Sequence, residues 1–271
     1  MDKRRMCPNC RAFITTDDKV CPYCQAEVGL RAIDRQVAAD AMAGLVQGDR
    51  FVTTIIVLIN AGLYIATLLV LSGGRQISIN PSPEALVALG GKEGYDVIVN
   101  GQWWRLITAG FLHGSILHIG MNMWVLWDLG PQIDEVFGSF RYLTIYFAAT
   151  VAGFAASLYW TPGLSIGASA GITGLVGAMV GLGTREKHTM IGAMRGRYIQ
   201  WMLMMLVMGF VISGIDNAAH IGGFVGGFAV AYLAGSKGHA RGDDFLWRTA
   251  AYVSLAVTGY AFFRMVQQLF R

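Results

Sequence analysis

Ser169, His220, His118 and Asn122 are the side chains of this sequence whose types and spacing could carry covalent chemistry. A serine hydroxyl is a weak nucleophile, and histidine is the usual base that activates it. Ser169 lies in Gly167-Ala168-Ser169-Ala170-Gly171, at the start of an apolar segment and among residues too small to shield it. The free backbone amides of a first helical turn there would suit an oxyanion. His118 and Asn122 are four residues apart, so on a helix they share a face and can point into one cavity. His113, five before His118, falls elsewhere on that helix and reads as a loop anchor. Taken alone, a serine near a helix start is more often an N-cap, and a small-residue helix is more often packing.

A second group of reactive side chains sits at the other end of the chain. All four cysteines fall in Cys7-Pro8-Asn9-Cys10 and Cys21-Pro22-Tyr23-Cys24, two pairs with ten residues between them. A thiolate pair separated by two residues can place both sulfurs on one metal, and two such pairs complete a tetrahedral Zn²⁺ site. About 25 residues cannot fold by burial alone, so a bound metal would supply the folding free energy. A disulfide or redox pair is the competing reading, and a cytoplasmic location disfavours it. Residues 1–28 therefore read as a small zinc ribbon, and 29–50 as a short helical linker.

The elements that must position Ser169 and the histidines are membrane helices. The chain has 271 residues, 54% of them hydrophobic and only 14% charged, with 35 glycines besides. Soluble domains are about 25% charged, so the composition excludes an ordinary soluble enzyme, a disordered chain and a nucleic-acid module. Of the 38 charged residues, 15 lie in positions 1–50, which makes a polar head on an apolar body. That body, 51–271, holds seven apolar segments: 51–71, 115–129, 140–160, 167–183, 198–213, 216–235 and 247–266. About 20 residues are needed to span the hydrocarbon, so the second, fourth and fifth read as short. Trp103-Trp104-Arg105 and the following residues to Leu112 read as an amphipathic interfacial stretch.

Basic residues set the expected orientation. Eleven lysines and arginines between Arg31 and Arg248 fall on one side and five on the other, which puts the N-terminus in the cytoplasm. Residues 1–50 carry charges and cysteines where a signal peptide would need a continuous apolar run, so none is expected. The second, fourth and sixth segments then run inward together. At 1.5 Å per residue, His118 lies ~5 Å, Ser169 ~3 Å and His220 ~6 Å below the outer face. Polar groups at one depth on three helices read as a shared internal site. Gly174, Gly177 and Gly181 on the fourth helix, and Gly223 and Gly227 on the sixth, allow the close approach that brings Ser169 to His220.

Together these motifs resemble the rhomboid family of intramembrane serine proteases. The match runs from about Phe51 to Gly235 and includes Trp103-Trp104-Arg105, His113 with His118 and Asn122, Glu135 with Gly138-Ser139, Gly167-Ala168-Ser169, and His220 with Gly223 and Gly227. The resemblance implies an all-α polytopic membrane protein, a six-helix bundle with a seventh C-terminal helix behind a cytoplasmic zinc ribbon. It implies Ser169 as nucleophile, His220 as base, His118 with Asn122 completing the oxyanion hole, and no cofactor in catalysis. The partners it implies are transmembrane protein substrates and the lipid bilayer of a cell inner or plasma membrane, with no nucleic acid; a cytoplasmic partner would belong to the head. Ala170 stands where the family often has glycine, and Thr173 where an aromatic commonly stacks on the base. Asp216, one turn before His220, reads as a helix cap or as an aid to the base. Two other readings stay open: a catalytically silent rhomboid-like protein that binds membrane helices, and a transporter using His113, His118 and His220 as a proton path.

Overall fold

The computed structural model describes residues 4–7, 9–15, 18–28, 50–72, 79–236 and 243–270. The expected linker, apart from Arg50, lies outside them, as does His239. The chain divides into two compact units, Met1–Gly48 and Asp49–Arg271.

The first unit is built on a hairpin of β1 (Arg4–Met6) and β2 (Phe13–Thr15), paired antiparallel with Met6 opposite Phe13. Its two cysteine knuckles have the same backbone. Arg11 donates to the Cys7 carbonyl and Gln25 to the Cys21 carbonyl, each at 2.9 Å. Arg11 and Gln25 both take a left-handed φ, 61° and 56°, which turns the chain back after each pair. The core of the unit is Cys7, Ile14, Cys21 and Val28.

The second unit is helical. Its long elements are α1 (Phe51–Ser72), α5 (Ile116–Phe137), α6 (Ser139–Trp160), α7 (Ser169–Arg185), α8 (Met190–Val211), α9 (Asn217–Ala234) and α10 (Asp243–Leu269). Short helices α2 (Pro83–Ala88), α3 (Gly94–Ile98) and α4 (Arg105–Thr108) fill the connection between α1 and α5. By length and apolarity three of the described helices could cross a membrane: Phe51–Leu69, Ser139–Trp160 and Asn217–Ala234.

Two helices expected to be short are full length. The second segment does not stop at Leu129, because α5 continues through Pro131 to Phe137. A proline inside a helix forfeits one backbone hydrogen bond, a loss that neighbouring helices in a packed bundle can absorb. The fifth begins at Met190 rather than Tyr198, so Arg195 and Arg197 ride its first turns. Only α7 stays short, at 17 residues or roughly 25 Å. It is also the buried centre, packing most extensively against α9 and then against α8 and α6.

The stretch after Trp103 departs furthest from expectation. Trp103 is exposed and stacks on Tyr260 of α10, but Trp104 is 1% exposed and belongs to the core. Arg105 is buried as well. It pairs with Asp96 at 3.0 Å and donates to the Gly91 and Val87 carbonyls, so of the two anchors open to it, headgroups or backbone carbonyls, it uses the carbonyls. The segment is packed nearly all round rather than amphipathic. A tight turn joins α5 to α6. Gly138 makes it with φ 77°, and Asp134 accepts from Ser139 Oγ at 2.9 Å, while Glu135 is exposed.

Candidate active site

Glycines bring the site together. A side chain on Gly177 would overlap the Phe224 carbonyl oxygen, one on Gly227 the Gly174 carbonyl, and one on Gly181 would come within 2.6 Å of the Phe228 carbonyl. Backbone therefore lies on backbone along the whole α7–α9 interface. The small-residue stripes read from the sequence do what their spacing implied.

Where α7 and α9 begin, His220 Nε2 lies 3.0 Å from Ser169 Oγ. Ser169 is the first helical residue of α7, and the cap position before it is Ala168, which makes no side-chain cap bond. The hydroxyl is thus committed to the imidazole and not to its own helix. The amides of this first turn have no acceptor within the helix, which is the usual property of a helix N-terminus. They face the same end of α7 as the hydroxyl and are suited to a developing negative charge.

His118 approaches from α5. Ser115 caps that helix, accepting from the His118 amide at 3.1 Å, and so sets the first turn that carries the imidazole. A side chain on Gly167 would lie 2.7 Å from His118 Nε2 and 3.7 Å from Ser169 Oγ. The imidazole and the hydroxyl therefore flank one glycine, whose φ of 122° also excludes other residues. Asn122 donates to the His118 carbonyl at 3.0 Å, a bond within its own helix. His113 is buried behind this group, with its ring edge-on to His118 at 4.9 Å.

Asp216 and Thr173 have structural partners. Asp216 caps α9 through the Ala219 amide at 3.0 Å and accepts from Thr161 Oγ1 at 3.2 Å and from Ser157 Oγ. His220 Nδ1 has no hydrogen-bond partner among the described residues, and Asp216 is occupied elsewhere. Thr173 Oγ1 donates back to the Ser169 and Ala170 carbonyls at 2.9 and 3.0 Å. His188 is exposed and distant in sequence from any of these groups.

In the first unit the four cysteine sulfurs all lie within 4.8 Å of one another. Cys7 to Cys24 is 3.7 Å and Cys10 to Cys21 is 3.6 Å. Bonds of ~2.3 Å from one tetrahedral Zn²⁺ would separate sulfurs by roughly 3.8 Å, whereas a disulfide needs about 2.05 Å. The residues fit a metal. Three of these thiols are pulled apart: the Cys10 amide holds Cys7 down and the Ala26 amide holds Cys24 down to about 6, while burial and the neighbouring thiols push Cys10 up to about 12.

Sequence reasoning missed Lys92. It appeared only as one outward basic residue, yet it is fully buried and donates to three carbonyls beside the segment that leads to Ser169. Nothing in composition or periodicity marks a loop lysine as buried.

A family profile described as a rhomboid domain matches residues 100–237. Rhomboid protease GluP of Bacillus subtilis is 37% identical over 191 residues, 70% of this chain and 36% of that protein. RHOMBOID-like protein 6, mitochondrial, of Arabidopsis thaliana is 31% identical over 172 residues, 62% of this chain and 55% of its own length. Rhomboid-like protease 1 of Toxoplasma gondii is 26% identical over 186 residues, 66% of this chain and 63% of that protein. The chain therefore spans between about a third and two thirds of the length of these relatives.

Proposed function

Because this chain belongs to the rhomboid family, we propose that it is a serine endopeptidase that hydrolyses a peptide bond within or beside a transmembrane helix of another protein. The observation that carries this reading is the 3.0 Å approach of His220 Nε2 to Ser169 Oγ. Ser169 Oγ attacks the scissile carbonyl while Nε2 takes its proton, and the imidazolium then returns that proton to the leaving amine. Water, activated by the same imidazole, releases the acyl group. The first-turn amides of α7 and His118 receive the oxyanion, and Asn122 joins them once its amide lets go of the His118 carbonyl.

A substrate helix hides its carbonyls in its own hydrogen-bond ladder. Attack therefore requires local unwinding, which favours bonds preceded by small residues and flanked by Gly or Pro. The distribution of basic residues supports a cytoplasmic N-terminus, with Ser169 near the outer face of the membrane and within reach of water. Residues 1–28 form a head that holds one structural Zn²⁺ through Cys7, Cys10, Cys21 and Cys24, and 51–271 form the proteolytic body.

A fluorophosphonate probe separates this reading from its rivals, since only an activated serine reacts with it. The protease is expected to carry one adduct, on Ser169, that disappears in His220→Ala. A silent helix-binding protein or a histidine proton path would leave the folded protein unlabelled, and that result would remove the serine-protease reading.

A further inference from the structure

Lys92 is among the largest side chains that the described residues bury completely. It sits between α2 and α3, and its ammonium donates to the Thr161 carbonyl, to the Gly163 carbonyl at 2.9 Å and to the Ser157 carbonyl at 3.5 Å. Those oxygens end α6 and open the segment leading to α7. A cation at a helix C-terminus answers carbonyls that have no amide of their own. Burial pulls the lysine below its ordinary range, and Asp216 and Glu93 draw it back up.

Asp216 holds the same two residues from the other side. Lys92 takes the backbone carbonyls of Ser157 and Thr161, and Asp216 takes their hydroxyls. Each of these charges is also fixed to one half of the catalytic pair. The backbone of Lys92 pairs with Ser165 in both directions, at 3.1 and 2.9 Å, four residues before Ser169. Asp216 caps α9 exactly one turn before His220, whose amide donates to the Asp216 carbonyl at 3.1 Å. The surrounding chain is tight: a side chain on Gly94 would come within 2.7 Å of the Pro162 carbonyl, and the Gly167 amide donates to Ala109 at 2.9 Å. Among the described residues no hydrogen bond holds His220 Nδ1, so the imidazole is oriented by its helix and by Ser169 Oγ.

We propose that Lys92 is a positioning residue for hydrolysis, clamping the end of α6 and the 161–165 segment against Asp216 so that Ser169 and His220 keep hydrogen-bond distance. This rests on the reading of Ser169 and His220 as the catalytic pair. Lys92 touches neither substrate nor reacting atoms, so its effect is on the rate of attack and not on substrate affinity. A buried ammonium is a costly way to tie a loop, because the water it gives up must be replaced by well-placed carbonyls. That cost is consistent with a geometric duty that neutral packing would meet less sharply.

The test uses the full chain reconstituted in lipid, as wild type, Lys92→Met and the milder Lys92→Gln, which keeps a donor but not the charge. kcat and KM for a membrane substrate are measured beside the rate of fluorophosphonate labelling at Ser169. Loss of reach at a reacting pair costs on the order of 10²-fold in rate. Lys92→Met should therefore lose at least about tenfold in kcat and in labelling alike, with KM unchanged, and Lys92→Gln should fall between it and wild type. A folded Lys92→Gln with wild-type kcat and labelling overturns the positioning role. So does a loss confined to KM or to thermal stability. A wild type that does not label at Ser169 overturns the catalytic pair itself, and this inference with it.

Discussion

Helices α7 and α8 follow one another in the chain and pack side by side, yet they bury opposite shares of themselves. α7 has 14 of its 17 residues buried, whereas α8 buries only Tyr198 and Met202 of its 22. One is held by carbonyls lying on glycines, and its position is nearly unique. The other offers methionines and aromatics to its surroundings, with Phe210 84% exposed. A group that must keep a 3.0 Å hydrogen bond belongs on the first kind of helix. A wall that must part for substrates of different sequence suits the second, since methionine adapts its shape at little cost. Under the proposed hydrolysis, rigidity around Ser169 and softness beside it would be complementary requirements of one reaction.

That contrast can be broken most severely at α7. Gly177→Val drives a branched side chain into the Phe224 carbonyl, and only a shift of backbone can relieve it. Overpacking of this kind costs ~1–3 kcal/mol or more. Cleavage should be lost, and a thermal melt in detergent should show a clear drop. Survival of full activity in Gly177→Val would mean that α7 and α9 are less closely fitted than their glycines require.

A smaller effect, of opposite sign, is expected on α8. Phe210→Ala should leave stability within about 1 kcal/mol, as exposed positions usually do, whereas Trp201→Ala also gives up packing against the core and should melt somewhat lower. Each should speed cleavage of a membrane substrate by a few-fold while leaving labelling by a small water-borne probe unchanged. Where α8 meets α5, Tyr198 donates to Gln132 at only 3.4 Å, a weak tie that does not oppose such movement. Equal loss of both activities would make α8 a purely structural wall.

The smallest effect on catalysis is expected from the cysteine head. Cys21→Ser should abolish binding of one Zn²⁺, read by metal analysis of the purified chain, because three thiolates no longer close the tetrahedron. Fluorophosphonate labelling of Ser169 should stay within about twofold of wild type. A zinc-free wild type would contradict the metal reading, and a dead but folded Cys21→Ser would contradict the head's independence from the chemistry.

The parts legible in the sequence were those where spacing alone fixes geometry. The stripes at Gly174, Gly177, Gly181, Gly223 and Gly227 state which helix faces meet, and the common depth of His118, Ser169 and His220 states where. The two cysteine pairs are legible for the same reason. What could not be read is where tertiary burial overrides local character. Trp104, Arg105 and Lys92 carry interfacial or loop composition, yet Trp104 packs into the main helical core, Asp96 and the Val87 and Gly91 carbonyls hold Arg105, and carbonyls at and beyond the end of α6 hold Lys92. Pro131 and the arginines at 195 and 197 look like helix boundaries, yet packing tolerates the proline and the helix end lets the arginines reach water. Asp134 rather than Glu135 holds the turn at Gly138, a choice between adjacent acids that depends on which face of α5 is buried.

The central claim is that Ser169 and His220 act as one hydrolytic unit. The most direct measurement is cleavage of a purified single-helix substrate by the chain reconstituted in liposomes, with products mapped by mass spectrometry, for wild type, Ser169→Ala, His220→Ala and the double variant. The account predicts one cleavage region in wild type, none above background in any variant, and no further loss in the double variant, because paired catalytic groups are not additive. Substantial cleavage by folded Ser169→Ala at the same bond would contradict it.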